Sequence, residues 1–197
     1  MKYIYLALSI FVLAGCSVTT PAVSEYRINI YPNAKEFNST ACREESLKVE
    51  QAFSSTSLMS SKMRYAIGDY KQFAFTQSEW AESPNRAITD EVVQYIKAGN
   101  IFKNVQSSQS RTFNRYILEV HIEDFMQYFS KDEKQSFANV RIAFTLIDAQ
   151  ASKVVAAKTF SSKVKAKTID AQGGVEALNS ALKDILNKSL KWLDESC

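Results

Sequence analysis

Residues 116–123 read Tyr-Ile-Leu-Glu-Val-His-Ile-Glu (YILEVHIE), and this stretch decides the fold class. Tyr116, Leu118, Val120 and Ile122 alternate with Ile117, Glu119, His121 and Glu123. A period of two marks a strand with one buried and one wet face. Downstream, Val140, Ile142, Phe144 and Leu146 repeat the pattern. Val154 to Lys167 reads as a third strand, bulged near Lys158, where the alternation slips. Val175, Leu178, Leu182, Ile185, Leu186, Trp192 and Leu193 then make an amphipathic helix, with Asp170 as its N-cap.

Upstream, Ile101 to Val105 is a short strand, preceded by a helix with clear punctuation. Ser83 is placed to cap it, Pro84 occupies its first turn, and Gly99-Asn100 stops it. Ile88, Val92, Tyr95 and Ile96 share its apolar face. Met63–Ile67 and Tyr70–Thr76 form a hairpin joined at Gly68-Asp69. Leu47, Val49, Gln51 and Phe53 suggest a weaker strand, Ser54 to Ser61 a loop, and Tyr26, Ile28 and Ile30 a first strand. The expected fold is α/β in the sense of an α+β sandwich: one mixed, largely antiparallel sheet packed by two main helices. No internal repeat or second linker breaks residues 25–197, which are read as a single periplasmic domain.

Composition narrows the function classes. The 197 residues are 46% hydrophobic, enough for one sizeable core, and only 5 Gly and 3 Pro argue against low complexity. A formal charge of +3 is too small to imply nucleic-acid binding. One His and three Cys are too few for a Cys/His zinc site, and no cofactor motif is seen.

Lys2, the apolar run Tyr3 to Leu13 and the small residues Ala14 and Gly15 have the form of a secretory signal over residues 1–15. Leu13-Ala14-Gly15-Cys16 resembles the bacterial lipobox. That resemblance implies cleavage before Cys16, a diacylglycerol on its thiol and an acylated amine, hence a lipid anchor. The alternative is an ordinary signal with an incidental Cys. Residues 16–24 then comprise the lipidated Cys and a polar tether, and Ser17 in place of Asp points to the outer membrane. Cys42 and Cys197 remain as an even pair in an oxidising compartment, either a disulfide, two free thiols or an intermolecular link.

The whole arrangement resembles the ABC-type transport auxiliary lipoproteins. The resemblance rests on the lipobox, the segment MRYAIGDYKQFAFTQSEWAESP with Trp80 at the family's aromatic position, and the helix-then-strand order of VVQYIKAGNIFKNV. It covers roughly residues 26–195, and departs where Phe53-Ser54 replaces the family's Val-Pro strand ending. It implies a noncatalytic protein working beside a permease, an ATPase and a mammalian-cell-entry-domain protein that move lipid between membranes, with self-association possible. The competing reading is a scaffold lipoprotein for outer-membrane assembly or envelope integrity. No P-loop and no Gly-x-Ser-x-Gly elbow occurs, which disfavours an ATPase or a serine hydrolase.

Three groups are candidate sites. His121 between Glu119 and Glu123 could act as a general base, but a solvated sheet face explains it more simply. Lys163, Lys165 and Lys167 would meet anionic headgroups or an acidic partner, or else protect an edge strand. Tyr65, Tyr70, Phe73, Phe75 and Trp80 either fill the core or present a contact surface. Tyr70 and Trp80 suit a partly wet interface best; of the two, Trp80 is expected to behave as core and Tyr70 as surface.

Overall fold

The computed structural model describes residues 21–32 and 42–197. The lipobox and Cys16 lie outside them. The elements in order are β1 (Ser24–Tyr26), β2 (Ser46–Val49), β3 (Phe53–Ser54), β4 (Lys62–Ile67), β5 (Lys71–Trp80), α1 (Pro84–Gly99), β6 (Asn104–Ser107), β7 (Tyr116–Phe129), β8 (Ser136–Asp148), β9 (Lys153–Lys165) and α2 (Ala171–Ser196).

YILEVHIE opens β7, the longest strand and the axis of the sheet. Along one side β7 pairs antiparallel with β8 over its whole length, and β8 pairs antiparallel with β9. Along its other side three short strands meet it in turn, all parallel: β2 at Leu47–Tyr116, β3 at Phe53–His121 and β4 at Tyr65–Gln127. The long ladders are the antiparallel ones because a tight turn can join them, whereas parallel neighbours need crossovers. The sheet is therefore mixed and largely antiparallel, with α1 and α2 packed on it, as expected.

The alternation changes phase at Glu123, where β7 bulges between Ile122 and Asp124. Leu118, Val120 and Ile122 are buried before the bulge; Phe125 and Gln127 are buried after it. Opposite them, Ala138, Val140, Ile142, Phe144 and Leu146 are buried on β8. Phe144, Phe160 and Trp192 bring β8, β9 and α2 together, with ring centroids 6.0–6.4 Å apart. Each such side chain contributes on the order of 1.5–3 kcal/mol by burial.

Three local expectations are corrected. Lys158 is not a bulge: Ala156, Phe160 and Val164 keep strict alternation, and the Lys158 ammonium lies over the Phe160 ring at 5.4 Å. A long aliphatic stem lets a lysine occupy an inward position on an edge strand while its charge stays wet. The extra residue is Val155, between the pairs Leu146–Ala156 and Ile147–Val154. Along 47–54 the phase flips after Val49, so Ala52 and Ser54 are buried and Phe53 is 64% exposed. There the Ala52 amide leaves the ladder and donates to Thr89 Oγ1 on α1. The first strand is Ser24–Tyr26; Ile28 and Ile30 are buried beyond its end, where the Asn29 amide donates to Asn179 Oδ1 of α2.

The β4–β5 hairpin turns at Gly68, whose φ of +64° suits a residue without Cβ. β5 runs on past Thr76 to Trp80. At the start of α1, Ser83 makes no side-chain cap bond, and Asn100 in the left-handed region ends the helix. Asp170 caps α2 by accepting from the Gly173 amide at 2.8 Å. That amide first, and the Thr168 hydroxyl second, hold the Asp170 carboxyl below the ordinary carboxylate range. The sign follows: a depressed folded value contributes stability present above the unfolded pKa of about 4, lost as pH falls through the folded one. Asp170→Ala is expected to cost about 1 kcal/mol in urea melts at neutral pH, and the gap to the wild type should close in acid.

Candidate functional site

The helices cover one face of the sheet, and the alternate residues of β7, β8 and β9 form the other. Glu119, His121, Arg141, Ser161, Lys163 and Lys165 are exposed there. Phe53, turned outward by the phase flip, sets its ring 5.1 Å from the His121 ring. With Glu50, Gln51, Glu119, Ala143 and Thr145 they line a shallow groove of about 480 Å³. Glu123 is taken by Arg141, so the carboxylate–imidazole–carboxylate array suggested by the sequence is not assembled. The groove sets an aromatic wall beside polar groups.

Toward the other end of β7, a polar network crosses two strands. Asp124 Oδ2 accepts from the Tyr128 hydroxyl at 2.8 Å and from Asn139 Nδ2 at 2.6 Å. Burial is the main reason the Asp124 carboxyl is pushed above its usual range, with the two donors opposing it. Burial and the adjacent Asp124 push the Tyr128 phenol up as well. Tyr128 stacks on Phe137 at 5.4 Å, and the Lys163 ammonium sits 3.5 Å from the centre of the Phe137 ring. No sequence signal pointed to this network, because its members meet only through the β7–β8–β9 register.

The three lysines do not form one row. Lys163 is engaged with Phe137, Lys165 lies two residues on, opposite Phe137 in register, and Lys167 is past the end of β9, 3.9 Å from Glu176 of α2. Among the described residues β9 pairs only with β8, which makes it an edge strand of the described sheet. The hairpin aromatics also separate. Tyr65 is half-buried against Phe73, Phe75 and Phe129, with centroids 4.5–5.6 Å away. Tyr70 sits in the turn and is 97% exposed. Trp80 is 4% exposed, against Phe125 at 5.7 Å, and so is removed from the candidate contact residues. Its ring joins the hydrophobic core beside Phe125 of β7.

Cys42 and Cys197 are joined by a disulfide with a Cα–Cα distance of 5.6 Å. Among the described residues, no group of three or more His, Cys, Asp or Glu could hold a metal ion. Among them, no helix is long and apolar enough to cross a membrane.

The model of a family described as the ABC-type transport auxiliary lipoprotein component matches residues 30–188. No curated protein matches the sequence. The fold is similar to that of a Xanthomonas campestris protein of family DUF330, at TM-score 0.76 and 14% identity over 88% of this chain and 96% of that one. A second solved structure, of an uncharacterised protein, superposes at TM-score 0.67 and 12% identity, covering 88% and 99%. A Chlamydia trachomatis hypothetical protein gives 0.51 at 5% identity, covering 78% and 98%. At these identities the likeness concerns the fold.

Proposed function

The chain belongs to the ABC-type transport auxiliary lipoprotein component family, and from that membership we propose that it is a noncatalytic, lipid-anchored periplasmic part of an ABC-type system moving lipid across the envelope. In this reading Cys16 carries the acyl chains, in the outer membrane. The domain engages a mammalian-cell-entry-domain protein served by a permease and an ATPase. The observation that carries the reading is the match over residues 30–188 directly behind the lipobox Leu13–Cys16. Two or more acyl chains give stable membrane attachment, where one gives only marginal binding. The sheet face away from the helices, with its aromatic-walled groove, supports a contact role.

The anchor is tested by Cys16→Ser, expected to abolish incorporation of labelled fatty acid and to leave unprocessed precursor. Normally processed, membrane-bound protein from this variant would remove the lipoprotein reading. The transport role is tested by crosslinking in cells: recovery of the permease, ATPase and mammalian-cell-entry protein supports it. Recovery of outer-membrane assembly factors alone would favour a scaffold.

A further inference from the structure

We propose that the domain stands end-on upon the membrane that holds its anchor, with the β4–β5 and β7–β8 turns against anionic phospholipid headgroups and Tyr70 at headgroup depth. This rests on the lipid anchor at Cys16 proposed above, and adds which end of the fold meets the bilayer.

Strand direction sets the end. β1 runs parallel to β5, with Ser24 beside Ser78 and Tyr26 beside Trp80. β5 starts at the Gly68–Tyr70 turn and travels away from it. The chain entering β1 therefore comes from the turn side. Length sets the height. Eight residues separate Cys16 from Ser24, a maximum reach of about 28 Å. β5 bulges between Ala74 and Glu79, where β4 advances only from Arg64 to Lys62, so Tyr70 stands about five strand steps, roughly 17 Å, from the level of Ser78. A tether of that length lets Cys16 pass the level of Tyr70 by at most about 11 Å, so an anchored chain keeps the turn end near the membrane surface.

The chemistry of that end fits the same occupant. Gly68 donates its amide to Phe129 O, and Lys131 packs beside Gly68, so the two turns form one surface. Lys165 adjoins it, since Phe137 pairs with Lys165 and Phe129 with Ser136. Lys71, Lys131, Lys134 and Lys165 are exposed, and among the described residues none of them is in an ion pair. Three carboxylates share this end: Asp69, Asp132 and Glu133. Asp132 is occupied by the Ser130 hydroxyl and the Lys134 amide. Lysines near a charged leaflet bind it within a Debye length, and an exposed tyrosine with a polar tip suits the headgroup layer. The opposite end carries the exposed Phe113; there Lys103 and Arg115 are held by Glu44 and Asp148, while Arg111 and Lys153 are exposed, so strand direction and tether length, rather than charge, choose between the ends.

The test uses the full lipidated protein in vesicles of phosphatidylethanolamine and phosphatidylglycerol containing a brominated lipid that quenches indole. Trp80 and Trp192 are buried and give a constant background. Tyr70→Trp should be quenched about twofold or more, and Phe113→Trp should not be. In phosphatidylcholine vesicles, or with Lys71, Lys131 and Lys165 all changed to Gln, the protein should still float with the vesicles while the Tyr70→Trp quenching falls away. Flotation without quenching of Tyr70→Trp, or stronger quenching of Phe113→Trp, overturns the end-on arrangement and leaves the anchor standing. Failure to float removes the anchor, and the docking with it.

Discussion

Trp80→Ala is expected to lower the stability of the domain by about 3–5 kcal/mol, the range for large aromatics removed from cores. Trp80 closes β5, its amide donates to Ser61 O at 2.7 Å, and its ring lies 5.7 Å from Phe125. At 4% exposure the site has little route to collapse or fill with water. Since whole domains are held by about 5–15 kcal/mol, this single truncation should bring the protein close to unfolding. Urea denaturation followed by far-ultraviolet circular dichroism reads the effect. A midpoint equal to the wild type would place the ring on the surface and return Trp80 to the contact residues.

Loss of the Cys42–Cys197 bridge should cost about as much, by a different route. The bridge spans a sequence separation of 155. Closing so long a loop removes unfolded-state entropy worth about 4–5 kcal/mol, with residual structure in the unfolded chain reducing it. The clean variant is Cys197→Ser, because Cys197 is exposed, whereas Cys42 is 1% exposed and a hydroxyl there adds a desolvation cost of its own. The bridge also ties the last turn of α2 to the Cys42 segment. Intact-mass analysis of periplasmic protein should show both thiols protected from alkylation until reduced. Cys197→Ser should unfold at markedly lower urea. Two freely alkylated thiols would count against the bridge.

Much of this architecture was legible from short-range pattern. The period-two run at Tyr116–Glu123, the helical face of Ile88, Val92, Tyr95 and Ile96, and the stops at Gly68 and Asn100 depend on φ/ψ and on which neighbours face the same way. Those quantities are set within a few residues, so the chain declares them without help from its distant parts. The lysine and aromatic candidates were visible as residues, yet their roles were not. Tyr70 and Trp80 are the exception: Tyr70 beside the turn was expected in solvent and Trp80 in the core, and the pairing of β5 with β1 and β4 places them so.

The features that stayed hidden all depend on register. Whether Phe53 points to the core or to His121, whether Val155 or Lys158 breaks the alternation of β9, and whether Lys163 finds Phe137 are settled by which residue lies opposite which. Moving a strand by one residue sends every side chain to the other face. The energy that decides the register is spread over the whole β7–β8–β9 ladder and the helices packed on it. A run such as Leu47-Lys48-Val49-Glu50-Gln51-Ala52-Phe53 therefore specifies that its residues favour a strand, while contacts made far away in sequence, by Leu118 and Thr89, decide where its phase turns over.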